Sequence, residues 1–154
     1  MTKASNTSSG FMGTGGEYAV ASELIFRGFN ASIMSVDTGI DVVAVKNKKT
    51  YNVQVKTSTQ YNIGLYMFDI RKVSLDKHNF PNVYYIFVLR DDDKNQYVIF
   101  PMTEIEKSIK EKYFYFVKSH GKYRVRFKFY KDKLTLGKKN NDISKYLNNW
   151  DIIK

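Results

Sequence analysis

Cysteine is absent from this 154-residue chain, which excludes disulfides, thiol catalysis and cysteine-based zinc sites. Histidine is nearly absent. The two present, His78 and His120, lie far apart without ligand spacing, and each reads as a surface or internally satisfied residue. No apolar run approaches the ~18 residues of a membrane span, and no signal-peptide core is visible. The chain is therefore expected to be soluble and cytoplasmic, with no membrane partner. Acidic residues are the minority charge: 15 Asp plus Glu against 25 Lys plus Arg leave a net +10. That balance suits a polyanionic partner, although ribosomal and membrane-surface proteins share it.

What is present suffices for one folded unit. The length is that of a single domain, and 43% apolar residues can bury a proper core. Residues 1–15, rich in Ser, Thr and Gly, read as a flexible arm, and 16–154 as one domain. Gly10-x-x-Gly13-x-Gly15-Gly16 lacks the Gly-Lys-Ser/Thr ending of a phosphate cradle and any preceding strand, so it reads as a lead-in.

Chemistry concentrates between residues 16 and 58. Gly39-Ile40-Asp41-Val42-Val43-Ala44-Val45 and Val53-Gln54-Val55-Lys56 read as two short β-branched strands joined by a turn over 46–50. Strand alternation puts Gln54 and Lys56 on one face and Val53 and Val55 on the other. Asp41 is expected at the mouth of its strand, with Ile40 and Val42 on the opposite face. A carboxylate, an amide and an ammonium gathered at one end of a hairpin suit a divalent cation beside a phosphate. A helix from Gly16 to Gly28 carries small or apolar residues at 20, 21, 24 and 28. Glu17 falls on that buried side and Glu23 on the solvent side. Two roles stand open for Glu17: a carboxylate favouring a helix N-terminus, or a fourth member of the polar cluster. Asp37 is a rival for the metal, but Val36-Asp37-Thr38-Gly39 reads as a turn.

Gly-Glu-x-x-Val-Ala-x-x-Leu, then Gly-Ile-Asp, then Gln-x-Lys, resembles the PD-(D/E)xK nuclease superfamily. The likeness is to Mrr-type restriction endonuclease domains first and archaeal Holliday-junction resolvases next, and it covers Gly15 to Ser58. The proline of the family name is missing before Asp41. Gln54 stands where many members carry an acid, as it does in Mrr-type domains. The resemblance implies an α/β, three-layer restriction-endonuclease-like fold, with a central mixed sheet flanked by helices. It also implies a Mg²⁺-dependent endonuclease, with Mn²⁺ as a substitute. Asp41, Gln54, Glu17 and the Val55 carbonyl would hold the cation, and Lys56 would stabilise charge on the phosphate or help orient and deprotonate the attacking water. Glu17, Asp41, Gln54 and Lys56 are the catalytic candidates, and Thr57 and Ser58 would bind a phosphate or a metal-bound water. The expected partner is nucleic acid, DNA first. A homodimer is compatible, since a double-strand cut takes two active sites. Two alternatives remain open: an inactive nuclease-fold nucleic-acid-binding module, and a basic protein-interaction or inhibitor domain.

Beyond Ser58 the chain reads as strand Phe29–Val36 (before the hairpin), strand 66–70, a short helix or loop over 71–80, and a buried strand 82–89. A turn at the three aspartates 91–93 leads to strand 96–100. A helix follows from Met102 or Thr103 to about Lys112, with Thr103-Glu104-Ile105-Glu106 as a capping-box candidate. In 122–129, Tyr123, Val125, Phe127 and Phe129 would face inward. Lys122, Arg124, Arg126 and Lys128 would form a basic stripe, which is either a nucleic-acid phosphate track or the charged guard of an edge strand. Residues 142–151 read as a closing helix with Trp150 as its packing anchor.

Overall fold

The structure, a computed structural model, describes residues 8–36, 39–78 and 81–154. Asp37 and the turn proposed for it, like residues 1–7 of the proposed arm, lie outside the described residues. The elements run α1 (Ser9–Phe26), β1 (Asn30–Ile33), β2 (Val42–Lys46), β3 (Lys49–Asn62), β4 (Leu65–Arg71), α2 (Lys72–Asp76), β5 (Val83–Asp91), β6 (Lys94–Pro101), α3 (Met102–Lys110), β7 (Tyr115–Val117), β8 (Lys122–Tyr130), β9 (Lys133–Leu136) and β10 (Asn141–Asp142). The architecture is α/β with a mixed sheet, as expected. β3 joins its two parts. Its first stretch pairs antiparallel with β2 and parallel with β5, and its end pairs with β4, which leads on to β8, β9 and β10.

Local chemistry explains the joints. Asn47 and Lys48 both adopt positive φ, 51° and 63°, as a two-residue hairpin turn of type I′ requires. α1 ends in a Schellman pattern. The Phe29 N–H donates to the Leu24 carbonyl at 3.0 Å and Gly28 N–H to Ile25 at 2.9 Å, with Gly28 at φ 84°, where a side chain would be strained. α1 starts earlier than the sequence suggests. Residues 9–15 are helical although Gly10, Gly13 and Gly15 are poor helix formers, and a Cβ at any of the three would meet nothing within 4 Å.

Two apolar clusters lie on the two faces of the β1–β2–β3–β5–β6 sheet. α1 covers one through Val20, Ala21 and Leu24 against Val53, Val55 and Ile86. The other face carries Tyr85, Phe87 and Phe100. It is covered by α3 together with β4, β8 and β9, so strands share the outer layer expected to be purely helical. Three local expectations change. Strand 29–36 shrinks to Asn30–Ile33. Thr103 caps nothing: Pro101 is the N-cap, and Glu104 is buried, accepting a hydrogen bond from the Tyr146 hydroxyl at 2.7 Å. The closing helix is two short 3₁₀ turns, Ser144–Tyr146 and Trp150–Ile152, because this tail packs as an irregular strap that runs from one cluster, through Ile143, Tyr146 and Leu147, to the other, through Trp150 and Ile153. Trp150 is its anchor as expected, edge-on to Tyr97 at 5.0 Å with the Arg27 guanidinium over its ring. Among the described residues no helix is long and apolar enough to cross a membrane.

Candidate active site

Asp41 lies at the entrance to β2, extended by its own backbone. Its N–H donates to the Val53 carbonyl and its carbonyl accepts from the Met34 N–H. Its Oδ2 accepts two hydrogen bonds, from Gln54 Nε2 at 2.6 Å and from the Val55 N–H at 2.7 Å. The first two motif residues are thus in direct contact. The facing differs from expectation at one position. Val42 packs in the cluster under α1, but Ile40 packs in the opposite one, because regular alternation begins only at Val42.

Gln54 and Lys56 share a face of β3, as alternation requires. Their register partners on β5 are Tyr85 and Phe87, both fully buried, so the polar pair stands on an apolar floor. Ser58 continues that face, with its hydroxyl donating to the Thr59 carbonyl at 2.9 Å. Thr57 does not. The same alternation turns it under α1, where its hydroxyl is buried without a hydrogen-bond partner among the described residues. A Cβ on Gly16 would lie 1.8 Å from Thr57 Oγ1. Thr57 is therefore directed at the helix and not at a substrate phosphate.

Glu17 follows that contact point directly and is half-buried. With α1 starting at Ser9 it is well inside the helix, which removes the helix-start explanation for it. α1 packs on the face of the sheet opposite to Gln54 and Lys56.

His78 and Tyr85 were not singled out as site residues by sequence. His78 Nε2 bonds the Gly39 carbonyl at 2.8 Å, and Nδ1 bonds the Tyr85 hydroxyl at 2.8 Å. A carbonyl only accepts, so Nε2 carries the proton and Nδ1 receives the one from Tyr85. Burial lowers the His78 pKa and Lys56 lowers it further, against the raising effects of the Gly39 bond and Asp41. Burial and the Asp41 charge push the Tyr85 phenol up, so it remains a donor. His78 is satisfied, as its sequence reading allowed, but it is satisfied beside the motif. It ties the segment carrying Asp41 to the floor of the site.

The donor set suits a hard cation sparingly. Among the described residues no three His, Cys, Asp or Glu side chains come together. Mg²⁺ needs only one or two carboxylates, since it keeps several waters. A carboxylate offers about four lone-pair sites, so the two bonds to Asp41 Oδ2 do not exhaust it. In a strand the N–H and C=O of one residue point to the same side, so Val55 presents its carbonyl toward Asp41. The residues fit Mg²⁺, with Gln54 contributing only if its amide turns its oxygen inward.

The basic stripe lies on β8, between β4 on one side and β7 and β9 on the other, so it is not an edge strand and needs no guard. Asp69 accepts from Lys122 Nζ at 2.8 Å and Arg124 Nε at 3.0 Å. Burial works to raise its pKa, but these two cations outweigh that and lower it. Among the described residues Arg126 and Lys128 have no carboxylate at ion-pair distance.

No protein-family model matches the chain, and no curated protein matches it significantly. Solved structures do. A bacterial homing endonuclease, I-Ssp6803I, superposes with TM-score 0.64 at 17% identity, over 95% of this chain and 91% of that one. Hjc, a Holliday junction resolvase from Archaeoglobus fulgidus, gives TM-score 0.49 at 14% identity, over 73% and 81% of the two chains. The chain shares the fold of that homing endonuclease.

Proposed function

We propose that the protein is an endonuclease that hydrolyses phosphodiester bonds in DNA with Mg²⁺. The observation that carries this reading is the direct contact of Asp41 with Gln54 and the Val55 N–H, on the strand face that also bears Lys56. Asp41, the Val55 carbonyl and the Gln54 amide oxygen would hold the cation, with Glu17 adding negative charge from α1. Bound there, Mg²⁺ would polarise the scissile phosphate and make its bound water more acidic. Lys56 sets its ammonium against the charge that grows on the phosphoryl oxygens as water adds to phosphorus and the sugar oxygen leaves. The apolar floor of Tyr85 and Phe87 strengthens that interaction by excluding water beneath it. His78 and Tyr85 fix the segment from which Asp41 projects.

One observation favours a second reading. Gln54 presents its N–H to Asp41, an arrangement in which the amide quenches the carboxylate instead of sharing a metal with it. That state suits a module that binds nucleic acid without cutting it. The two readings separate cleanly in a cleavage assay on plasmid, linear duplex and branched DNA. The nuclease nicks or cuts with Mg²⁺ or Mn²⁺ and not with EDTA. Asp41→Ala and Lys56→Ala each lower the rate by about a hundredfold or more while leaving the circular dichroism unchanged. Binding without metal-dependent cleavage on any of these substrates would establish the inactive module.

A further inference from the structure

Apart from the Asp41 cluster, and sharing no residue with it, a cavity of about 850 Å³ opens beside β8. It lies where the lateral partner of β8 changes. β7 pairs with Lys122–Arg124 and β9 with Phe127–Tyr130, leaving a notch between them. The Gly137 N–H closes part of that notch on the Arg126 carbonyl at 2.9 Å.

Two chemistries line the cavity. Aromatic rings line it from both faces of β7: Phe116 and Tyr123 pair on one face, 4.9 Å apart, and Tyr115 lies on the other, beside Arg124. The rim is cationic, with Lys112, Arg124, Arg126, Lys138 and Lys139; among the described residues no carboxylate lines the cavity itself, although Arg124 is paired with Asp69 beside it. Tyr115 and Phe116 are 61% and 40% exposed, on a strand with a single pairing partner. Lys138 Nζ lies 5.5 Å over the Tyr115 ring, so a cation already rests on the face that a flat ligand would take.

The combination selects among occupants. A second copy of this chain would bring a net +10 toward a rim of five cations. A duplex backbone would use the cations and ignore the rings, because its bases are stacked on each other. An unpaired nucleotide uses both, since its base has a π-face for an aromatic platform and its phosphate takes the cations. The volume lies within the usual range of small-ligand cavities, roughly 300–1,000 Å³.

We propose that this cavity receives an unpaired nucleotide of the bound nucleic acid, its base stacked on Tyr115, which shares a strand face with Arg124 and Arg126, and its phosphate held by Arg126, Lys138 and Lys139. The inference rests on the nucleic-acid reading above but not on cleavage. It would let the protein hold a single-stranded end, a loop or a displaced base near the duplex it engages.

The test is a titration of the full chain, in EDTA, with a fluorescein-labelled oligo-dT strand and with the same strand annealed to its complement. Tyr115→Ala weakens single-strand binding by roughly tenfold to a hundredfold and leaves duplex binding nearly unchanged. Tyr115→Phe, which keeps a stacking face, binds like the parent. An unaltered single-strand affinity, or an equal loss for strand and duplex, overturns the receptor. A fall in oligomeric mass by sedimentation also overturns it, by assigning the face to contact between copies. If the parent binds neither DNA, the receptor and the nucleic-acid reading fall together. If it binds but never cleaves, only the nuclease reading falls.

Discussion

His78 holds the Gly39 carbonyl with one ring nitrogen and the Tyr85 hydroxyl with the other, two residues from Asp41 in the chain. Removing the ring strands a buried phenol and loosens the carboxylate it steadies. His78→Ala is expected to cost about 1–3 kcal/mol of stability. If the protein cleaves DNA as proposed, His78→Ala should also lower kcat for that cleavage about tenfold or more with KM little changed, because a small misplacement of a reacting group is expensive. His78→Gln, whose amide can donate to the carbonyl and accept from the phenol, should recover much of that rate. Steady-state kinetics on the two variants check this, and loss of stability with an unchanged kcat would leave His78 a packing residue only. Alternation in a local hairpin made Asp41, Gln54 and Lys56 legible in the sequence. The parallel register of β3 with β5, which brings Tyr85 and through it His78 to the same place, has no local signal. Thr57 was misread for a related reason: adjacency to Lys56 suggested a shared role, and adjacency in a strand means opposite faces.

α1 meets β3 most tightly at Gly16, where any side chain would collide with Thr57. At Thr57 β3 is held by its parallel ladder to β5, so a side chain at Gly16 acts chiefly on the helix. Gly16→Ala is expected to destabilise by about 1–3 kcal/mol in urea unfolding. Combining it with Thr57→Ala should cost less than the sum of the single changes, because the colliding hydroxyl is gone. Additive losses would mean that the contact at Gly16 does not set the helix position. At this scale the hairpins were readable because their turns carry positive-φ residues between β-branched runs, as at Asn47-Lys48. The helix start was not, since three glycines before Gly16 argue against the helix they join. The tail was not, since its apolar spacing fits a helix although tertiary packing holds it as short 3₁₀ turns.

Across the whole molecule the +10 charge is unevenly available. Asp69 offsets Lys122 and Arg124, while Arg126 and Lys128 on the same strand have no such partner among the described residues. If this surface meets nucleic-acid backbone, Arg126→Ala and Lys128→Ala should each reduce the slope of log K against log salt by about one unit, equally for all sequences. Arg124→Ala should change it less. Affinities measured at several salt concentrations decide the matter, and unchanged slopes would take β8 off the binding surface. The net charge announced such a surface, but the ion pairs that divide the stripe depend on the register of β4 with β8, which sequence alone did not supply. β3 imposes an order in time as well as in space. Its neighbours β2 and β4 are close along the chain and can pair early, whereas β5 reaches it only through a crossover that includes α2. Pairings of that kind form late, because loop closure must precede the contacts that reward it. The floor beneath Gln54 and Lys56 arrives with β5. A chain emerging from the ribosome therefore carries all the motif residues before it has a cleft, and the floor of that cleft waits on the β3–β5 ladder.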